Sequence, residues 1–130
     1  MKVIHEDYIT EVFFTNKKNL DLHYLKHVIS DDDEDMKMVY MSKEEYNNLA
    51  DTLSNAQAYP INVFDANIIG YVSETGRILK YDKETNLLVV YVDDDILGHE
   101  VISLYRQPIH KFYRKLKSSN PDFKYSKDIQ

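Results

Sequence analysis

The spacing of apolar residues changes from helical to alternating near Tyr59. Before that point apolar residues recur every three or four positions, a period that predicts helices. We predict a first helix over residues 3–14 and a second helix after a polar turn at residues 16–19. An acidic run at residues 31–35 should end the second helix in a solvated surface loop. The predicted apolar face of the second helix comprises Leu20, Tyr24, Leu25, Val28 and Ile29.

The clearest local signal is the start of a helix at Ser42. The segment Ser42-Lys43-Glu44-Glu45 has the S-x-x-E order of a capping box, in which the serine and the glutamate cap each other's backbone N–H groups. Apolar residues then follow at i, i+3, i+4 and i+7, which predicts a helix with one buried face. A short strand is predicted just before it, over residues 36–41.

After Tyr59 the chain favours strands. Segments rich in β-branched and aromatic residues alternate with turn residues, and they predict strands over 68–72, 77–81, 87–92 and 100–105. Their short loops favour antiparallel hairpins. Pro108 suits the first turn of a last helix that extends to about residue 117.

This order of elements predicts an α+β fold, with N-terminal helices packed on a mostly antiparallel four-stranded β-meander and a C-terminal helix. We expect a single domain over residues 1–130, with an ordered core over about 3–117 and a loose basic tail over 118–130.

Composition restricts the compartment and the ligands. The 130 residues include no cysteine, which excludes disulfides and thiolate zinc sites and suits a reducing compartment. Neither a signal-peptide pattern nor an apolar run of membrane-spanning length is present, so we expect a cytoplasmic site of action and no membrane partner. Only three glycines occur and none forms a phosphate-binding motif, so no nucleotide cofactor is expected.

Charge is distributed unevenly along the chain, whose net charge is −6. Residues 1–98 contain 9 Lys+Arg and 19 Asp+Glu, a net of −10, whereas residues 99–130 contain 7 and 3, a net of +4. The cations of the second part, among them Lys111 and Arg114, are interleaved with aromatic residues. This mixture suits binding to phosphates and unpaired bases, but composition alone favours an amphipathic terminal helix with snorkelling lysines.

A cation lies beside an imidazole at Lys26-His27, and His23 lies one helical turn earlier. Two histidines four residues apart can hold a metal, but the glutamate of the H-E-x-x-H motif is missing and the adjacent Lys26 repels a cation, so no metal site is predicted. Histidine instead suits proton transfer near neutral pH. Four later side chains could supply the charge stabilisation that phosphodiester cleavage needs, namely Lys80, Ser103, Tyr105 and Arg106.

The order of these motifs resembles the barnase–EndoU–colicin–RelE superfamily of toxin nucleases, most closely its colicin D-like and its phage and polymorphic-toxin branches. The resemblance covers roughly residues 20–106. It is carried by LDLHYLKH, SKEEYNNLA, IIGYVSETGRILKYDKETNLLVVY and VISLYR, in that order.

The resemblance implies a metal-independent endoribonuclease that requires no cofactor and acts on RNA, with tRNA as an expected substrate. The family's catalytic histidine falls on His27 and its partner lysine on Lys26. The phosphate-facing strand positions fall on Lys80, Ser103, Tyr105 and Arg106. We expect His23, Lys111 and Arg114 to bind substrate. The resemblance also implies an immunity or antitoxin protein as partner, and delivery by a secretion system or a phage.

The acidic balance favours a second hypothesis. Active toxins of this superfamily are usually basic, whereas residues 1–98 have a net charge of −10. A catalytically inactive interaction protein, such as an acidic immunity protein, antitoxin or phage accessory protein, would use this charge to cover a basic partner.

Overall fold

The structure, a computed structural model, describes residues 11–30, 36–63, 65–96 and 98–119. It confirms the α+β class. The elements are α1 (Lys17–Tyr24), a π-helical turn (Leu25–Ile29), α2 (Lys43–Asn55), β1 (Tyr59–Pro60), β2 (Ile68–Val72), β3 (Ile78–Asp82), β4 (Leu87–Asp94), β5 (Gly98–Arg106) and α3 (Ile109–Ser119).

Among the described residues the sheet has five strands in the order β1-β2-β3-β4-β5, one more than predicted. The four predicted strands pair antiparallel as a meander, and their observed bounds differ from the predicted ones by two residues at most. The additional strand, β1, pairs parallel to β2. It has only two residues and includes Pro60, so it carries neither an alternating pattern nor a β-favouring composition.

Side chains alternate between two covered faces of the sheet. One face packs against α1 and α2 and is named here the helix-pair face; Tyr46, Val89 and Leu104 belong to its core. The other, the α3 face, packs against Phe112 of α3 and includes Leu79 in its core. Because both faces are buried, the strands carry nearly continuous apolar runs.

Asn16 is the N-cap of α1, so the helix starts within the polar turn that had been predicted over residues 16–19. Its side chain accepts a hydrogen bond from the backbone N–H of Asn19, so the polar residues after it form the first helical turn. The apolar face predicted for this helix is correct only in part. Leu20 and Val28 are buried, whereas Leu25 and Ile29 are 53% and 43% exposed. The π-helical turn has a wider period, which the 3.6-residue pattern does not anticipate.

The helix predicted over residues 3–14 is wrong for residues 11–14; residues 3–10 lie outside the described part of the chain. Phe14 forms a parallel bridge with Val101 at the edge of β5. The N–H of Val101 donates to the carbonyl of Phe13, and the N–H of Thr15 donates to the carbonyl of Val101. This pairing buries Phe14 and fixes the start of α1 beside β5.

The capping box at the start of α2 is confirmed: Ser42 and Glu45 each accept from the other's backbone N–H. The strand predicted over residues 36–41 is wrong. Within that segment Met38 is buried and its N–H donates to the carbonyl of His27, while Val39 and Tyr40 face solvent. Residues 36–41 thus bury the side chain of Met38 in the core, but they do not pair with the sheet.

The last helix agrees with the prediction, because Pro108 directly precedes α3 and its carbonyl accepts from Lys111 and Phe112. Most of the predicted tail, residues 120–130, lies outside the described residues. No helix in the described part of the chain is long and apolar enough to cross a membrane.

Candidate functional site

An open groove of about 390 Å³ lies on the α3 face beside the edge strand β5. This groove, called the central groove below, combines an apolar floor with an imidazole, a guanidinium, two phenol rings and two hydroxyls. Its lining residues are His23, Tyr71, Ser73, Arg77, Leu79, Val90, Ile102, Ser103 and Tyr105.

A β-bulge in β5 directs the polar side chains into the groove. Ser103 is paired with Val90, but the next residue of β4, Tyr91, is paired with Val101, so Ile102 is the additional residue. Ser103 and Tyr105 therefore share one face of the strand, the face of the groove. The side-chain amide of Asn19 donates to the carbonyl of Ile102 at 3.1 Å and so joins α1 to the bulge.

His23 extends from α1 to the groove and meets β5 there. Its Nδ1 lies 3.4 Å from Ser103 Oγ, at the long end of hydrogen-bond distances. Burial lowers the pKa of His23 below its ordinary value of 6.5, and the nearby Lys26 lowers it further. Both effects disfavour the imidazolium and so favour the neutral imidazole, the form that can accept a proton.

His27 is buried directly behind the groove, with 8% of its surface exposed. Its ring stacks on His23, with centroids 5.5 Å apart, and on Tyr105, with centroids 5.2 Å apart. The stack continues from His23 through Phe14 to Tyr46. Five rings therefore form one column from the core to the groove, and His27 occupies a position between two groove residues.

Arg77 is the cation of the groove. It is exposed, lies between the Ser73–Gly76 turn and β3, and belongs to the same face of the strand as Leu79. Arg77 was not among the residues predicted from the sequence, although alternation along the strand places residues 77 and 79 on one face. Tyr71 of the neighbouring strand β2, and Ser73 directly after that strand, were also missed.

Lys80 does not converge on the histidines, contrary to expectation. It is 3% exposed and lies on the helix-pair face, where its Nζ donates to the carbonyls of Ser54 and Ala56 at 2.7 and 2.6 Å. The ammonium also lies 5.1 Å from the centre of the Tyr91 ring. These contacts place its charge at the end of α2, where the helix dipole favours a cation.

The other predicted residues do not line the groove. Lys26 is exposed on the π-helical turn, and Arg106 donates from Nη1 to the carbonyl of Lys37 at 3.3 Å. Lys111 and Arg114 lie on α3, which reaches the groove through contact of Phe112 with Tyr71. The sequence thus predicted His23, Ser103 and Tyr105 of the groove, and missed Arg77.

Within the described residues no group of three or more His, Asp or Glu side chains is arranged to hold a metal ion. Comparison of the chain with protein-family models, with curated proteins and with solved structures gave no match.

Proposed function

We propose that this protein is a metal-independent endoribonuclease whose active site is the central groove. The proposal is carried by the contact of His23 with Ser103 in a groove that also contains Arg77. A neutral imidazole, a hydroxyl and a guanidinium suit a reaction that moves one proton and stabilises charge on a phosphate. The motif order shared with the barnase–EndoU–colicin–RelE superfamily supports the same function.

In the proposed reaction His23 is the general base. It removes the proton of a ribose 2′-OH, the 2′-oxygen forms a bond to phosphorus, and the bond from phosphorus to the 5′-oxygen breaks. The 5′-oxygen takes a proton from the hydroxyl of Tyr105, leaving a 2′,3′-cyclic phosphate and a free 5′-OH. Arg77 and Ser103 bind the phosphate oxygens, whose negative charge increases in the transition state.

The resemblance to the barnase–EndoU–colicin–RelE superfamily implies that His27 is the base, whereas the geometry of the groove favours His23. Only His23 lines the groove, while His27 is largely buried between His23 and Tyr105. We therefore assign His27 a positioning role, in which its ring fixes the orientations of the base and of the acid. Lys80 has a structural role in this scheme, and Arg77 replaces it as the phosphate cation.

The expected partners follow from this function. The substrate is RNA, and tRNA is an expected substrate. The site of action is the cytoplasm, where tRNA is found. An inhibitor protein, of the immunity or antitoxin kind, would protect the producing cell. Delivery by a secretion system or a phage belongs to the same proposal.

The test is incubation of the purified protein with total tRNA in EDTA, followed by analysis of the fragment ends. We expect fragments ending in 2′,3′-cyclic phosphate and starting with 5′-OH. A matched substrate with a single 2′-deoxyribose at a mapped cleavage site should resist cleavage there. Absence of cleavage, or cleavage of the deoxy site at the same rate, would contradict the proposal.

A catalytically inactive interaction protein is the second candidate function. Large apolar side chains at Leu25, Ile29, Val39 and Tyr40 are exposed, which favours a protein partner. The net charge of −10 over residues 1–98 suits a basic one. On this account, expression of the protein alone leaves growth unchanged and a pulldown recovers a basic nuclease. Growth arrest that His23→Ala abolishes would exclude it.

A further inference from the structure

Two further depressions adjoin the central groove. One, called here the α1 depression, has a volume of about 440 Å³ and shares Arg77 and Ile102 with the groove. The other, the π-turn depression, has a volume of about 520 Å³ and shares His23 with the groove. Leu22, which is exposed, borders both. Each depression therefore adjoins the other two, and the proposed base lies where the central groove meets the π-turn depression.

The two outer depressions each contribute a cation. Lys18 lines the α1 depression together with Arg77 and the polar side chains of Thr15, Asn16 and Asn19. Lys26 lines the π-turn depression. Among the described residues that line the three depressions none is acidic, although the chain as a whole has a net charge of −6. The described acidic side chains thus lie outside the linings of the three depressions.

We propose that the three depressions together are a binding track for an extended single strand of RNA, with Lys18 at one end and Lys26 at the other. The inference rests on the proposed function and specifies its substrate. Phosphates on both sides of the cleaved bond would contact Lys18, Arg77 and Lys26 in turn. The groove combines an apolar floor with the rings of Tyr71 and Tyr105, and such a surface suits stacking of an unpaired nucleotide. Binding must then strengthen with strand length beyond a dinucleotide.

Neighbouring lysines provide a matched control for the track. Lys17 and Lys18 are both exposed in the first turn of α1, but only Lys18 lines a depression. A glutamate is favourable near the start of a helix at either position, so Lys17→Glu and Lys18→Glu should both fold. The two variants also have the same net charge. A difference between them reports a local contact and not the overall charge of the protein.

The experiment measures binding of 2′-O-methyl RNA, a dinucleotide and a hexanucleotide, which the proposed reaction cannot cleave. We expect Lys18→Glu to weaken hexanucleotide binding by roughly tenfold, and to lower the slope of log affinity against log salt by about 0.7 per lost phosphate contact. Lys17→Glu should bind like the wild type within about twofold, and dinucleotide binding should be nearly the same in all three proteins.

Different outcomes separate the two proposals. Equal effects of the two variants, or equal affinities of the wild type for dinucleotide and hexanucleotide, would overturn the track even if the protein cleaves RNA. Hexanucleotide binding that depends on Lys18, without any cleavage of unmodified RNA, would retain the track and overturn the ribonuclease. If the wild type binds no hexanucleotide, the track is wrong. The proposed function then stands if the protein still cleaves RNA in EDTA, and fails if it does not.

Discussion

Ser103 Oγ lies 3.4 Å from His23 Nδ1, although the two residues are 80 positions apart in the chain. Two features of the fold produce this contact. The bridge of Phe14 to Val101 fixes the start of α1 against β5, and the bulge at Ile102 turns Ser103 toward the helix. Neither residue alone identifies a site. Their proximity beside Arg77 is what makes the groove a candidate for phosphodiester chemistry.

The first prediction concerns the pH dependence of cleavage. Burial and Lys26 lower the pKa of His23, and the proposed base acts in its neutral form. The rate should therefore rise with pH on the acid side, with a midpoint below 6.5, and level off above it. In Lys26→Ala the smaller of the two causes is removed, so the midpoint should move upward. Single-turnover rates over a pH series test this, and a midpoint above 6.5 in the wild type would contradict it.

The same lowered pKa affects folding. His23 binds its proton more weakly when folded than when unfolded, so the unfolded state takes up more protons as pH falls through about 6.5, and stability decreases. We expect the midpoint of urea unfolding to decline more between pH 7 and pH 5.5 in the wild type than in His23→Gln. Equal declines in the two proteins would show that His23 does not contribute.

Lys80→Met should lower stability without removing an active-site group. The substitution leaves the carbonyls of Ser54 and Ala56 without the ammonium that binds them in the core. We expect a loss of about 2–4 kcal/mol in the free energy of unfolding, whereas the exposed Lys17→Met should lose less than about 0.5 kcal/mol. Below its melting temperature Lys80→Met should cleave RNA at nearly the wild-type rate. Normal stability with lost cleavage would restore Lys80 to the site.

Ser42→Ala tests the start of α2. It removes the side chain that accepts from the backbone N–H of Glu45, and should cost about 1 kcal/mol by urea unfolding. Ser30→Ala is the control because Ser30 is exposed and ends the π-helical turn through its backbone N–H, which alanine retains; its effect should be within about 0.5 kcal/mol. A loss in Ser30→Ala as large as that in Ser42→Ala would argue against the capping assignment.

Local patterns predicted those parts of the fold that local interactions determine. The capping box at Ser42 and the four hairpin strands depend on residues close in sequence, and they occur as expected. Failures occur where a distant partner decides the conformation. Phe14 is in a β-bridge because Val101 is beside it, and the backbone of Met38 pairs with His27 instead of a strand.

The candidate site shows the same division. The sequence could show that Lys80 and Tyr105 lie on strands. It could not show whether they lie on the same face of the sheet, because that depends on how β3 and β5 each pair with β4. Lys80 pairs with Val89, and Val89 pairs with Leu104, so Lys80 shares a face with Leu104 and not with Tyr105. Had that register been known, alternation along the chain would have placed Arg77, and not Lys80, on the face of Tyr105.

The hydroxyl of Tyr105 is proposed as the general acid. Tyr105→Phe retains the ring that stacks on His27 and removes only the proton donor. We expect the cleavage rate to fall by roughly 10²-fold, with unchanged binding of 2′-O-methyl RNA. Tyr113→Phe, on α3, is the matched control and should cleave normally. If Tyr105→Phe binds RNA weakly and cleaves bound RNA normally, the hydroxyl contributes to binding and not to proton transfer.

The most direct test of the account is the single-turnover rate of RNA cleavage in EDTA by the wild type, His23→Gln and His110→Gln. His110 is an exposed histidine on α3 outside the groove, so its substitution controls for the loss of an imidazole. We predict that His23→Gln lowers the rate by about 10²–10⁴-fold while remaining folded, and that His110→Gln matches the wild type. Equal rates in all three proteins, or no cleavage by the wild type, would contradict the account.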